Sequence, residues 1–283
     1  MTATTQATGI KNDTSGGGAS VLPHHEAAAT LWGRGGALYD NVSYAISDAL
    51  THAAQRLNAK PGERILDVAT GTGWTARNVA RGGARVTGID IAGALLDAAR
   101  DLSAHIEPAI LYELGDAEAL PFDDGAFDGV ISTFGVMFAA NQEKAAAELA
   151  RVCKSGGRAV IAAWVPGGSV AEFFGVIAKH SDGPAPAASP MNWGDPDYAA
   201  NLLGGAFDLE FEPGTNTAYH HSVDEIWDWY GSGFGPVRHL MDSLDDDDRA
   251  ALKADIDAYH KHYMGPMGLR VTRDYLIIRG TRR

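Results

Sequence analysis

Residues 64–73 read Arg64-Ile65-Leu66-Asp67-Val68-Ala69-Thr70-Gly71-Thr72-Gly73. An apolar run carries one acidic residue and opens into a glycine-rich turn. Short runs rich in Ile, Leu and Val, bounded by glycine, have the pattern of a buried strand. Asp67 is the odd member, because a carboxylate in such a strand is costly without a cationic or hydrogen-bonding partner. Gly71 and Gly73 permit positive φ and a close approach of ligand to backbone. The helix expected to start near Trp74 would turn its free N–H groups into the same space. From Gly71 the string also fits the dinucleotide fingerprint G-x-G-x-x-A. A fixed negative charge at Asp67 repels a pyrophosphate and suits a ligand that carries an ammonium and a sulfonium.

The pattern continues outward. Arg85-Val86-Thr87-Gly88-Ile89-Asp90 reads as a second strand whose terminal carboxylate lies roughly 20 residues past the turn, the distance at which an acid accepts hydrogen bonds from ribose hydroxyls. Ile110 to Leu114 reads as a third strand leading into Gly115-Asp116-Ala117-Glu118-Ala119-Leu120-Pro121-Phe122, and Phe127 to Ser132 as a fourth. Ala145 to Val152 reads as a helix closed by glycines, and Lys154 to Ile161 as a fifth strand.

In this order and spacing the pieces resemble the class I, Rossmann-like S-adenosylmethionine-dependent methyltransferases, close to the quinone-biosynthesis (ubiquinone/menaquinone) type. The resemblance is strong over residues 60–165 and weak elsewhere. It implies an α/β fold with a doubly wound, seven-stranded, mostly parallel sheet, an antiparallel last strand and a helical lid inserted after strand 5. It also implies S-adenosylmethionine as cofactor. The methionine part would be held by Asp67, Ala69, Thr70, Gly71 and Gly73, with Trp32 and Tyr39 closing over it. Asp90 with Ile91 would take the ribose and Asp116 with Ala117 the adenine, while Thr133 completes the cofactor set. At Ala69 the chain departs from the pattern of the resembled family, which usually has glycine there. Alanine keeps the turn small but restricts φ.

Composition bounds the rest. Lys and Arg number 23 against 36 Asp and Glu, a net charge of −13, which disfavours a phosphate-tracking surface and therefore nucleic acid. A small-molecule or lipid-like acceptor fits better. Cys153 is the one cysteine, so neither a disulfide framework nor a cysteine-rich metal site is available, and a packed thiol at the end of the helix before strand 5 is expected. No apolar run reaches transmembrane length and no signal-peptide core opens the chain; a cytoplasmic location is expected. The organisation reads as a disordered tail over 1–22, an N-terminal helical cover over 23–60 and the cofactor core over 61–165. Lid helices and closing strands of the same domain follow over 166–283.

Within that last part, Asp195-Pro196 is a helix start and Ser222-Val223-Asp224-Glu225 a capping box. Ser243 followed by Asp245 to Asp248 opens another helix, whose acidic first turn suits the helix dipole rather than a metal. Arg270 to Arg279 reads as a closing strand paired near Leu209 to His220.

Methyl transfer from a sulfonium is an in-line displacement at an activated carbon, so the protein has only to align the acceptor and, where needed, remove a proton. His24, His25, His180, His220, His221 and His239 are the possible bases, and nothing in the pattern selects one. Phe134, Met137 and Phe138, emerging after strand 4, together with Trp227 from the lid, would wall an apolar acceptor pocket. The expected function is S-adenosylmethionine-dependent methyl transfer to a small, apolar acceptor. The alternatives are a lipid or quinone-ring methyltransferase, an S-adenosylmethionine-binding protein without methyl transfer and, further back, a nicotinamide dehydrogenase.

Overall fold

The Arg64–Val68 run folds as β1, with Ile65, Leu66, Asp67 and Val68 all fully buried. The computed structural model describes residues 20–183 and 185–283. The expected tail over 1–22 therefore lies largely outside the described residues, although Leu22 is already tied down, its N–H donating to Asp116. Among the described residues three α-helices precede β1, α1 (Glu26–Gly33), α2 (Tyr39–Tyr44) and α3 (Ser47–Leu57), where two helices were expected. The core continues through α4 (Trp74–Ala80), β2 (Arg85–Asp90), α5 (Gly93–Ser103), β3 (Leu111–Leu114), β4 (Phe127–Thr133), α6 (Gln142–Val152) and β5 (Cys153–Trp164). Cys153 opens β5 instead of ending the helix before it; it is buried, and burial pushes its thiol up to about 11.

The cover follows. Helices α7 (Ser169–Ala178) and α8 (Pro196–Leu203) lead to β6 (Phe207–His220). After α9 (Val223–Gly233), α10 (Gly235–Ser243) and α11 (Asp246–Lys261) come the two-residue β7 (Met264–Gly265) and β8 (Gly268–Arg282). Side chains start these helices as their sequences dictate: Asp195 accepts from Tyr198 N–H, Ser222 from Glu225 N–H and Asp245 from Asp248 N–H. Two details differ from expectation. Ser243 closes α10, a helix the acidic run had obscured, and Glu225 accepts from the N–H of His221 rather than that of Ser222.

The strand order is β3-β2-β1-β4-β5-β8-β6, with β7 paired to β8. Neighbours from β3 to β5 run parallel, and β8 runs antiparallel to both β5 and β6. The order reverses between β1 and β4, so their carboxyl ends open a crevice where ligands bind in open α/β sheets. One apolar cluster fills the space between sheet and helices. A second, built from Phe173, Ile226, Tyr230, Phe234, Val237, Leu252 and Ile256, lies under the cover.

Candidate active site

A single cavity lies at the carboxyl ends of β1, β2 and β4. It is lined by the glycine turn (Ala69, Thr70, Gly71), the end of β2 (Asp90, Ile91) and the loop after β3 (Gly115, Asp116, Ala117). Thr133, Phe134 and Phe138 bound it after β4, and His25, Trp32, Tyr39, Ser43, Ile46 and Leu50 close it from the N-terminal cover.

The turn is bent by backbone conformation more than by side chains. Ala69 adopts φ +56°, Gly71 φ +57° and Gly73 φ +80°. A left-handed alanine costs about 1–2 kcal/mol, yet the chain accepts it at this position. Phe134 is the other strained lining residue, at φ +57°. That conformation folds its ring onto Trp164, stacked at 3.9 Å between centroids, and Tyr275 meets it edge-on. Strain of this kind persists only where surrounding packing over-determines it.

Asp90 ties the turn to β2. Its Oδ2 accepts from Gly71 N–H at 2.8 Å and its Oδ1 from Ala92 N–H at 2.9 Å. Burial nevertheless raises its pKa from the usual carboxylate range. Tyr39 sits over the turn, its ring 3.5 Å from where a Cβ on Gly71 would stand. Burial first, and the nearby Asp90 second, push its phenol well above the ordinary value, so at neutral pH it is a donor and not a base.

Asp67 lies beneath the turn, off the cavity wall. Its Oδ2 accepts the Thr70 hydroxyl at 2.6 Å. Ala76 N–H points at the carboxylate from the first turn of α4 without completing a hydrogen bond, and Oδ1 has no partner. Burial lifts this carboxyl to about 7. The strand turns the side chain toward α4, so Asp67 is not among the residues that line the cavity, whereas Thr70, which donates to it, is. Gly73 is also off the cavity wall. A Cβ there would stand 2.2 Å from the Tyr112 hydroxyl, so packing against β3 adds to the left-handed backbone in requiring glycine.

Two of the four residues expected at the acceptor do not reach the cavity. Met137 is fully buried in the sheet core, and Trp227 packs on the outer cover beneath Lys253. The 3-10 turn Val136–Phe138 points Phe138 outward and Met137 inward. Phe138 instead meets Trp32 at 5.0 Å and Phe174 at 5.5 Å. The part of the cavity wall that the sequence reading missed is the stripe Ser43, Ile46 and Leu50 with Trp74 and Thr75. Its signal was there, since positions 43, 46 and 50 recur at helical spacing.

An ion pair also fixes the cover to the turn. Arg77, 7% exposed at its side chain, donates Nη2 to Asp40 at 2.9 Å and Nη1 to the Thr72 carbonyl at 2.6 Å, while Thr72 donates its hydroxyl to Asp40.

Of the six candidate bases, His25 alone lines the cavity. His180 pairs with Asp255 on the cover, and burial together with Arg273 lowers the pKa of His220. His24, His25 and Glu118 are the one group among the described residues whose metal-capable atoms lie within 4.8 Å of one another. Those atoms already have protein partners.

Residues 66–161 match the family model described as a methyltransferase domain. An uncharacterized protein of Mycobacterium tuberculosis is 34% identical over 208 residues, covering 72% of this chain and 76% of its own length. A demethylmenaquinone methyltransferase of Renibacterium salmoninarum is 37% identical over 129 residues, 44% of this chain and 53% of its own. This chain belongs to the class I S-adenosylmethionine-dependent methyltransferases. The methyltransferase fold is also that of a putative methyltransferase from Bacillus halodurans C-125, with a TM-score of 0.57 at 20% identity over 82% of this chain and 97% of the other. As a methyltransferase the chain uses S-adenosylmethionine. The positive φ angles of Ala69 and Gly71 on the cavity wall leave the backbone open to close approach by a ligand. No described helix of the methyltransferase is long and apolar enough to cross a membrane.

Proposed function

We propose that this methyltransferase acts on a small, largely apolar acceptor bound between Ile46, Leu50, Trp74, Phe134 and Phe138. The observation that carries the reading is the continuity of the cavity. It runs from Asp116 and Ala117, past Asp90 and Ile91, over Ala69 to Gly71, and ends at this apolar wall. In the proposed arrangement Asp116 and Ala117 meet adenine, Asp90 takes the ribose hydroxyls, and the glycine turn with Thr70 and Tyr39 holds the methionine part. Bound S-adenosylmethionine supplies an electrophilic methyl carbon for in-line displacement.

The protein's part is alignment and exclusion of water. Among the described residues on the cavity the ionisable side chains are His25, Tyr39, Asp90 and Asp116. Asp90 is occupied by backbone N–H groups, Asp116 by backbone N–H groups and His25, and the Tyr39 phenol stays protonated. An acceptor that arrives with its nucleophilic lone pair already free, or is itself weakly acidic, suits such a wall. The aromatic faces of Trp32, Trp74, Phe134 and Phe138 are flat enough for a ring, and demethylmenaquinone methyltransferases are among the similar proteins. A quinol ring or lipid-like ring is accordingly the second reading.

The test is to titrate the protein with S-adenosylhomocysteine by calorimetry and then to follow methyl-donor consumption with hydroquinones, phenols, thiols and amines. Turnover confined to planar apolar acceptors is expected. Turnover confined to charged acceptors would refute the proposal. Binding without turnover on any member would favour a protein that only holds the cofactor.

A further inference from the structure

The hairpin end formed by β7, the start of β8 and the last residues of β6 carries large apolar side chains in the open. Met267 in its turn is 98% exposed, Tyr219 on β6 68% and Met264 on β7 44%. The turn runs Gly265-Pro266-Met267-Gly268 and closes on Gly268 at φ +90°. Residues directly opposite across a strand pair share a face, and successive residues alternate between faces. Met264 pairs with the buried Leu269, whereas Tyr219 pairs with the exposed Arg270. The three apolar side chains therefore stand on one face, on the other face and at the turn between them. A flat protein surface would cover one face of such an end, and only a medium that surrounds it covers all three.

The same end is basic. The chain has a net charge of −13, yet no Asp or Glu occurs between Asp257 and Asp274, a stretch that holds Lys261, Arg270 and Arg273. Lys261, His262, Arg270 and His221 are exposed. The acids around this end are engaged elsewhere: Asp224 and Asp257 pair with Lys253, Asp255 with His180, Glu225 accepts from the N–H of His221, and Glu172 accepts the Tyr263 hydroxyl. Among the described residues Lys261 and Arg270 are left without a carboxylate at ion-pair distance. The location matters too. β5 ends at Trp164, which pairs with Tyr275 of the antiparallel β8. Residues 268–274 of β8 thus run on past the carboxyl end of β5, about 20 Å of strand, at the end of the sheet where the cavity lies.

We propose that this hairpin end docks the protein on an anionic phospholipid bilayer. Met264, Met267 and Tyr219 enter the boundary between headgroups and acyl chains, while Lys261 and Arg270 stay at headgroup level and meet lipid phosphates. Charge complementarity selects this end. The rest of the molecule, negative overall, is repelled by the same surface, so binding through the hairpin turns the cavity's end of the sheet toward the bilayer. Docking of this kind is independent of which acceptor the cavity takes, and it is read without turnover.

The full chain is sedimented at low salt with vesicles of equal parts phosphatidylglycerol and phosphatidylcholine, and with vesicles of phosphatidylcholine alone. The wild type should partition into the mixed vesicles more strongly, on the order of tenfold, and the advantage should fade as salt is raised. Met267→Glu alters a side chain that the fold leaves in the open, and it should lower partitioning on the order of tenfold. Lys261→Gln and Arg270→Gln should each lower it about fivefold. Leu111→Glu puts the same charge on another exposed apolar residue, on the edge strand β3, and should change it far less. Circular dichroism and a melting curve report the folding of each variant separately. The proposal is overturned if the wild type does not sediment with the mixed vesicles, if it partitions equally into both kinds, or if Met267→Glu and Leu111→Glu weaken binding alike. Light scattering covers the remaining occupant. Self-association of the wild type that Met267→Glu abolishes, with no vesicle binding, would make this end an interface between copies of the chain and would likewise overturn the proposal.

Discussion

Replacing Asp67 by asparagine isolates the energetics of a fully buried acid beneath the glycine turn. Asp67 is fully buried with one oxygen unpartnered, and burial lifts its carboxyl from 3.8 to about 7. At about 1.4 kcal/mol for each pH unit of displacement, ionising this group in the folded protein costs about 4 kcal/mol. The sign follows from the raised value. Below pH 3.8 the carboxyl is neutral in both the folded and the unfolded chain, and no penalty exists. Between pH 4 and 7 the unfolded chain releases the proton first, so the wild type loses stability as pH rises, and above pH 7 the loss is complete. Asparagine does not titrate, and its carbonyl can still accept the Thr70 hydroxyl. Asp67→Asn should therefore match the wild type within about 1 kcal/mol near pH 4 and gain on it by up to about 4 kcal/mol by pH 8. Urea unfolding of both proteins at half-unit intervals from pH 4 to 8 measures the difference. A stability difference that stays flat across that range would show that Asp67 is not titrating there and that the burial argument is wrong.

Asp90→Ala should raise the S-adenosylhomocysteine dissociation constant on the order of tenfold to hundredfold and also lower the melting temperature, since Gly71 and Ala92 lose their acceptor; unchanged affinity in calorimetry would remove Asp90 from the site. Gly71→Val should fold yet fail to bind, its side chain standing against Tyr39, whereas Gly73→Val should lose stability first because its Cβ collides with Tyr112; a stable, binding Gly73→Val would contradict the packing. Phe138→Ala should depress acceptor turnover far more than cofactor binding, and Trp227→Ala should leave turnover within about twofold; steady-state kinetics showing the reverse order would move the acceptor to the outer cover. Ala69→Gly relieves about 1 kcal/mol of left-handed strain and adds chain entropy of about 0.4–1 kcal/mol to the unfolded state, so the melting temperature should stay within a few degrees, and a larger fall would mean that the alanine methyl packs usefully.

The sheet was legible because buried parallel strands announce themselves as apolar runs between glycines, and the acids at Asp90 and Asp116 sit where those runs end. Which way a side chain turns at a loop was less legible. Phe134, Met137 and Phe138 are similar in apolar character, but a positive φ at one and a 3-10 turn across the other two send them to different places. Asp67 and Gly73 have the residue types expected of a cradle, and each is held by a neighbour within the fold, Thr70 for the first and Tyr112 for the second. The roles of His25 and Arg77 depend on partners 91 and 37 positions away in the chain, Asp116 and Asp40, a pairing that no local pattern encodes.

The path of the chain between β6 and β8 has a consequence for how such a molecule can be rebuilt. His220, the last residue of β6, pairs directly with Leu269 near the start of β8, so everything between them departs from and returns to one spot. A short reverse turn would satisfy the same register. The excursion through α9, α10 and α11 is in that sense a cassette plugged into a socket. It meets the rest of the molecule through backbone-to-backbone approaches, where a Cβ on Gly233 would stand 2.5 Å from the Leu38 carbonyl and one on Gly235 2.4 Å from the Leu31 carbonyl. A transplanted cassette that kept glycine at those two points would seat on the same cradle. No residue of α9, α10 or α11 lines the cavity, so this part of the cover and the cavity wall are separable inheritances, and one can be exchanged while the other stays.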